Sequence, residues 1–384
     1  DTTCAYNNHD RIVDNWCNVA DQSSSCSALK QGQCQKLCLV ERPSTSPLTP
    51  ALLPTTTTTT VATTTTTTTI IAATTTTTAG PLVFAQMADS QLGFMDEDKT
   101  WHEEIELCGK AVAAINMLRP QFAIMCGDLT NKYPTDEEKM EKVRQQQVED
   151  YKKAFEKIDP DIPLLCVCGN HDVGNRPTAT TITKYERDFG ASYFSFWISS
   201  QRVAGVVVNS NLWSDDQGAP EAAKEQMEWF EQTLKMAKNT YKALHILIFT
   251  HHPLFLLSAD ENAEQVDKVL GRTTWTTPEG KPAGLGNSYF HIPAVRRTPV
   301  IELLQQYGVQ FVFSGHWHRN HVVEDTSVGV TQVVTSAVGR QLGADSSGLR
   351  FVRICDSNVT HRYYSFDTIP DTRATLDADL TPAT

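Results

Sequence analysis

The sequence contains no run of basic residues. Lys and Arg number 33 against 45 Asp and Glu, a net charge of −12 over 384 residues, and without a concentrated cationic face nucleic acid is not an expected partner. Long apolar runs are missing too. Ala243 to Phe249, among the longest, has a histidine inside it and falls far short of the roughly 18 residues a membrane-spanning helix needs. No transmembrane segment is therefore expected. An initiating methionine is absent, since the chain starts at Asp1, as expected where a leader has been removed. What the sequence does have is 40% hydrophobic residues, enough for a sizeable core, and a length that predicts about two domains at roughly 150 residues each.

Composition divides the chain. Cys4, Cys17, Cys26, Cys34 and Cys38 crowd its start, while Cys108, Cys126, Cys166, Cys168 and Cys355 are spread over the rest. A segment of about 40 residues has too little interior to fold on burial alone, so residues 1–41 read as a Cys-rich disulfide module made in an oxidising compartment. The odd count leaves one cysteine to stay free, to pair with the larger domain or to cross to another chain.

Residues 42–80 are Pro-rich and then nearly pure threonine. Thr55, Thr56, Thr57, Thr58, Thr59, Thr60, Thr63, Thr64, Thr65, Thr66, Thr67, Thr68, Thr69, Thr74, Thr75, Thr76, Thr77 and Thr78 give 18 threonines in 24 positions. This is the composition of an O-glycosylated stalk. A naked spacer is one alternative. Because Thr is β-branched and Val61, Ile70 and Ile71 interrupt the tract, an ordered strand or the spine of an assembly is another. Asn358-Val359-Thr360 is an N-glycosylation sequon. A secreted, extracellular or cell-surface glycoprotein is expected, with residues 1–80 able to join copies into a homopolymer or to meet a surface partner.

Residues 81–369 are globular in pattern. Short apolar runs of strand type occur at Pro81 to Met87, Gln121 to Cys126, Ile162 to Cys168, Val203 to Val208, Ala243 to Phe249 and Val309 to Phe313. Helical stretches at Trp101 to Leu118 and Asp136 to Ile158 lie between them, stopped by Pro120 and Pro160. Thr331 to Val338, Leu349 to Ile354 and Val359 to Phe366 then follow without helices, which predicts a change to antiparallel pairing. The fold class is α/β with a mixed or two-sheet centre. Residues 370–384 read as a polar, mobile tail.

Five of the strands lead into residues that ligate metals: Asp89-Ser90-Gln91, Gly127-Asp128, Gly169-Asn170-His171-Asp172, Thr250-His251-His252-Pro253 and Gly315-His316-Trp317-His318. The carboxyl ends of strands are where α/β sheets build sites. Alone, each piece is an ordinary turn or surface histidine. Together, aspartates beside imidazoles with no Lys or Arg in the motif cores leave buried negative charge that a cation must offset. Oxygen and imidazole donors suit Mn, Fe or Zn, and the lack of thiolates argues against a structural zinc site.

The ordered series Asp-x-Gln, Gly-Asp, Gly-Asn-His-Asp, His-x-Pro and Gly-His-x-His resembles the five-motif pattern of the calcineurin-like metallophosphoesterases. The resemblance spans about Pro81 to Asp367. Met87 to Gly93, Val208-Asn209-Ser210 and His361 to Ser365 are most similar to the calcineurin-like phosphoesterase domain-containing branch, regarded as serine/threonine phosphatases. It implies a four-layer αββα sandwich holding two divalent or mixed-valence metal ions. Asp128 would be shared between them, with Asp89, Gln91 and His318 at one site and Asn170, His251 and His316 at the other. His252 would be a neighbour. Gln91 departs from the commonest family residue, His, and is a weaker donor. Asn131 stands where purple acid phosphatases carry a tyrosine ligand, so a purple ferric enzyme is not expected.

By the same resemblance His171 is the catalytic acid or phosphate contact, with Asp172 orienting its other nitrogen. The chemistry suits the residues: a phosphate ester is anionic and repels hydroxide, and paired cations offset that charge and acidify water. A phosphorylated substrate, with phosphomonoesters including phosphoproteins as the class, follows. Between the fourth and fifth motifs, Tyr289, Arg296 and Arg297 are candidates for substrate contact, the arginines as a phosphate clamp. A second reading keeps the fold and changes its use: an extracellular filament-forming glycoprotein built on a phosphoesterase fold, active or not.

Overall fold

The computed structural model describes residues 38–40, 80–198, 202–355 and 358–382. The expected disulfide module and Thr linker lie almost wholly outside the described residues. Within them the elements in chain order are β1 (Cys38–Val40), β2 (Leu82–Met87), α1 (His102–Leu118), β3 (Phe122–Cys126), α2 (Glu138–Phe155), β4 (Leu164–Val167), α3 (Asn170–Val173), α4 (Ala179–Phe189), β5 (Phe194–Ile198) and β6 (Val203–Val207). Next come α5 (Ser210–Ser214), α6 (Pro220–Asn239), β7 (His245–Phe249), α7 (Ala263–Leu270), β8 (Arg272–Thr276), β9 (Pro282–Gly286), α8 (Ala294–Tyr307), β10 (Phe311–Ser314), β11 (His321–Asp325) and β12 (Val330–Val334). The chain closes with β13 (Gly348–Ile354), β14 (Val359–Ser365) and α9 (Arg373–Asp379).

Two sheets face one another. One has the order β1-β5-β6-β7-β10-β12-β11, the other β14-β13-β2-β3-β4. Pairing is parallel from β2 to β4 and along β6, β7, β10 and β12, and antiparallel at the margins. Period-two alternation explains the layering. Along β2, Leu82 and Phe84 enter the apolar layer between the sheets, whereas Val83, Ala85 and Met87 pack under the outer helices. The inter-sheet layer is aromatic at its centre: Phe84 stacks on Phe122 at 4.8 Å and meets Phe249 and Phe313 edge-on. Phe230, Leu234, Val300 and Leu304 of α6 and α8 close the far side of the larger sheet. The result is the expected four-layer αββα sandwich.

The structure corrects two expectations and adds an element. β12 does not join β13 and β14; it pairs in parallel with β10 in the other sheet. The tail is not free, because α9 buries Leu376 and Leu380 in the outer core beside α1, and Thr372 caps it by accepting from Thr375 N. The stretch between the fourth and fifth motifs contains a hairpin, β8–β9, and its β-branched run Arg272 to Thr276 pairs with Pro282 to Gly286.

Candidate metal centre

Every motif sits at the carboxyl end of a parallel strand, so one mouth collects them all. Asp89 and Gln91 follow β2, Asp128 follows β3, Asn170 and His171 follow β4, His251 follows β7, and His316 and His318 follow β10. All seven candidate ligands are buried. Asp128, His251 and His316 present donor atoms within 4.8 Å of one another, as do Asp89, Asp128 and His318. The shared residue is Asp128. Nε2 of His251 is 3.3 Å from Asp128 and 3.0 Å from Asn170 Oδ1, and Nε2 of His318 is 3.3 Å from Asp89.

Backbone conformation at this mouth is unusual. Asp89, Gln91, Asp128, His316 and His318 all have φ between +39° and +67°, a left-handed region that costs a non-glycine residue about 1–3 kcal/mol. Strain of this kind, repeated at five candidate ligands, marks a built site rather than five turns. Close packing adds to it. A Cβ at Gly169 would lie 2.1 Å from Asp128 Oδ1, and one at Gly315 would lie 2.5 Å from Asp89 Oδ2, so the glycines of these motifs let backbone approach the carboxylates.

Second contacts fix which ring nitrogen faces the centre. Nδ1 of His251 lies 2.8 Å from the Cys126 carbonyl, Nδ1 of His318 meets the Arg340 carbonyl, and Nδ1 of His171 is 2.5 Å from the Asn131 carbonyl. A carbonyl only accepts, so each Nδ1 carries the proton and each Nε2 is left to ligate or to exchange a proton. For His171 this is also a correction. Asp172 does not orient it; its carboxylate accepts from the backbone N–H groups of Gly169, Leu129 and Thr130, tying the Asp128 loop to the Asn170 loop.

The electrostatics follow from burial and charge. Burial opposes ionisation of Asp128, but His251 and His171 outweigh it and hold the carboxyl below its usual range. Burial, then the charge of Asp128, pushes Asp172 up to about 7. Burial works against a charged His251, yet Asp128 raises it to about 9, and His318 is raised the same way by Asp89. His316 and His252, buried and ringed by other imidazoles, are held well below the usual histidine value. His252 is also committed elsewhere, since its Nδ1 lies 3.0 Å from Ser210 Oγ.

Do these residues fit metal ions? Gln91 Oε1 and His316 Nε2 are buried without a hydrogen-bond partner, and an unpaired buried acceptor is costly. Both belong to the converging set. Two buried carboxylates beside an amide oxygen and an imidazole nitrogen that lack hydrogen-bond partners form a site matched to cations.

The candidate substrate residues fare differently. Tyr289 reaches the mouth, its ring 5.4 Å from that of His316. Arg296 does not: it is paired with Asp216 at 2.7 Å. Arg297 is fully buried, with its guanidinium on the carbonyls of Ala259, Glu261 and Ile292, so neither arginine forms the expected clamp. Tyr133 and Asn175 were not identified from the sequence. Asn170 Nδ2 donates to the Tyr133 hydroxyl at 3.0 Å, and the Tyr133 ring lies 4.2 Å from that of His171. Cys108, Cys126, Cys166 and Cys168 are buried free thiols, and Cys355 is free and half-buried. Burial pushes Cys166 up to about 12, so it packs as a small apolar group.

Strand-end carboxylates, amides and imidazoles meeting between two sheets define a metallohydrolase centre. The chain belongs to the calcineurin-like phosphoesterases, whose family profile matches residues 83–320, and is a metal-dependent phosphoric ester hydrolase. It is 37% identical over 313 residues to the serine/threonine-protein phosphatase CPPED1 of Danio rerio, covering 79% of this chain and 90% of that protein. The Homo sapiens protein of the same name is 34% identical over 303 residues, covering 76% and 86%. Among solved structures, the purple acid phosphatase of Lupinus luteus seeds is similar in fold, with a TM-score of 0.51, 15% identity and coverage of 80% of this chain and 57% of that one. A dimetal phosphatase from Danio rerio gives 0.50 at 12% identity, covering 74% and 96%.

Proposed function

We propose that the chain hydrolyses phosphomonoesters, with phosphoserine and phosphothreonine in proteins as its substrates. One observation carries this reading: seven buried residues with donor atoms converge, two of them carboxylates, and Gln91 Oε1 and His316 Nε2 among them have no hydrogen-bond partner. Asp89, Gln91 and His318 would hold one cation, Asn170, His251 and His316 a second, and Asp128 both. When bound, such a pair supplies charge neutralisation at the phosphoryl oxygens and lowers the pKa of water.

The protein's own groups do the rest. His171, with Nδ1 committed to Asn131, would in its doubly protonated form give from Nε2 the proton that the leaving alkoxide needs, returning to the neutral Nδ1–H ring. Its backbone N–H donates to Asp128 Oδ1 at 2.9 Å, holding ring and carboxylate in one frame. The names of the curated relatives support protein substrates. For setting we propose an extracellular, glycosylated protein, on the cysteine and threonine content of residues 1–80 and on the exposure of Asn358 in the β13–β14 turn.

The test is hydrolysis of 4-nitrophenyl phosphate and of phosphoserine and phosphothreonine peptides by the purified chain, stripped by chelator and reloaded with Mn, Fe or Zn. Turnover that disappears on stripping and returns on reloading is expected. Folded, metal-loaded protein that turns over none of these esters would refute the reading.

A further inference from the structure

The mouth of the site is short of positive charge on its protein side. Arg296 is paired with Asp216 and Arg176 with Asp215. Arg297 is sealed among carbonyls, and Arg340 donates to the Thr276 carbonyl with its guanidinium 5.8 Å from the Phe94 ring. What stands at the mouth instead is a set of neutral polar groups. The Tyr133 hydroxyl accepts from Asn170 Nδ2 at 3.0 Å, and the Tyr289 hydroxyl donates to Asn175 Oδ1 at 3.3 Å. Tyr133 is thus tied to Asn170 and Tyr289 to Asn175, and the two phenols form a polar rim. The rings flank the centre: Tyr133 lies against His171 and Tyr289 against His316.

Resting on the phosphatase reading above, we propose that Tyr133, held by Asn170, and Tyr289, held by Asn175, are specificity-determining substrate contacts whose neutral hydroxyls hydrogen-bond the phosphoryl group in place of an arginine clamp. A phenol is uncharged near neutral pH and has one O–H to donate, so it can serve an anionic oxygen without adding a cation to a mouth already matched to two, Tyr289 turning its O–H from Asn175 to the phosphoryl oxygen. Tyr133 has a second task. By taking a hydrogen bond from Nδ2 it fixes the amide of Asn170 with Oδ1 toward His251 and the centre, the orientation in which the amide offers oxygen to a metal.

The rim also explains why the β7–β10 connection is so firmly tied. Asn287 receives hydrogen bonds from Thr273 Oγ1 and Trp317 Nε1 at 2.6 and 2.9 Å. Ser288 donates twice to Asp267. The Trp317 bond attaches Asn287 to the loop that carries His316 and His318, while the others tie the segment to β8 and α7, so the phenol is carried on the same frame as the imidazoles.

The experiment uses the full chain loaded with Mn. Inorganic phosphate binding is measured by calorimetry and KM with 4-nitrophenyl phosphate, each at low and at high sodium chloride. Tyr289→Phe is expected to weaken phosphate binding about tenfold and to raise KM with it, with metal stoichiometry and melting temperature little changed. Tyr133→Phe should add a loss of Mn affinity through Asn170. The tenfold penalty should be the same at both salt concentrations, because a neutral donor is not screened as a guanidinium is. Phosphate binding by Tyr289→Phe within twofold of the parent overturns the proposal, as does a parent protein that binds no phosphate. A parent that binds phosphate but cleaves no ester refutes the phosphatase reading alone, and the titration still decides the role of the rim.

Discussion

The two sheets bring different chemistry to the same mouth. The five-stranded sheet delivers oxygen donors: Asp89 and Gln91 after β2, Asp128 after β3 and Asn170 after β4. The seven-stranded sheet delivers nitrogen: His251 after β7, and His316 and His318 after β10. Neither set is a site by itself. Buried carboxylates crowd negative charge that the opposite sheet helps to relieve, seen in the contacts of His251 with Asp128 and His318 with Asp89. Placing the two sets within reach is the task of the phenylalanine layer between the sheets. The candidate metal centre is therefore a consequence of sheet packing, and a cation bound there would be held from both sides.

The severest way to break this division is to remove the shared charge. Asp128→Asn keeps the shape and deletes the carboxylate that both halves use. We expect kcat to fall on the order of a thousandfold or more, with the circular dichroism spectrum unchanged. A fall of less than about tenfold would show that the oxygen side does not depend on it.

The outer layers differ as well, and that difference can be tested on stability. Behind the oxygen-side sheet, fully buried Arg144 of α2 donates to Asp188 of α4 at 2.9 Å, whereas on the other side buried Arg297 relies on carbonyls. Burial opposes ionisation of Asp188, but Arg187 and Arg144 outweigh it and hold the carboxyl below its usual range. A depressed folded pKa means the contribution is present above the unfolded value near 3.9 and is lost as pH falls through the folded one. Asp188→Asn should cost about 2 kcal/mol at neutral pH by leaving buried Arg144 only the Glu141 carboxylate, at 3.2 Å. In denaturant titrations the gap between parent and variant should close below about pH 4. A gap that stays constant down to pH 2 would show that the ion pair is not its source.

If cations are held from both sheets, binding them staples the sheets together. Saturating Mn at about a hundred times its dissociation constant should add about 2.7 kcal/mol, read as a rise in melting temperature that chelator reverses. His251→Ala on one sheet and Asp89→Ala on the other should each reduce the rise. A full rise in either variant would place the cations on one sheet alone.

How much of this was legible in the sequence depends on distance along the chain. The motifs could be read because strand, turn and ligand are consecutive, as in Gln121 to Asp128. The fold followed from the same strands. The rim could not be read: Tyr133 and Asn175 lie 42 positions apart and 156 and 114 positions from Tyr289, and only the packed loops make them neighbours. The partner of His171 was misread for a related reason, because Asp172 is adjacent in sequence but its carboxylate is taken by three backbone N–H groups. For α9 a signal did exist. Leu376 and Leu380 are four apart behind a Thr372 cap, the spacing of a one-sided helix, but seven residues are too few for periodicity to stand out from a polar background.

Gln91 offers the finest test of the division, since it is the weakest donor on the oxygen side and its Oε1 is buried without a partner. Gln91→His would place a nitrogen donor among the oxygens and move that side toward the chemistry of its opposite. Imidazole binds borderline metals more firmly than a neutral amide does, so the site nearest Asp89 and His318 should tighten for Zn by about tenfold. Equilibrium dialysis against a graded chelator series would read the change directly. Because the backbone at Gln91 is already left-handed, at φ 39°, the substitution imposes little new strain, and a failure to tighten would point to geometry: the side chain at this position does not reach the cation, and Asp89, Asp128 and His318 hold it without help.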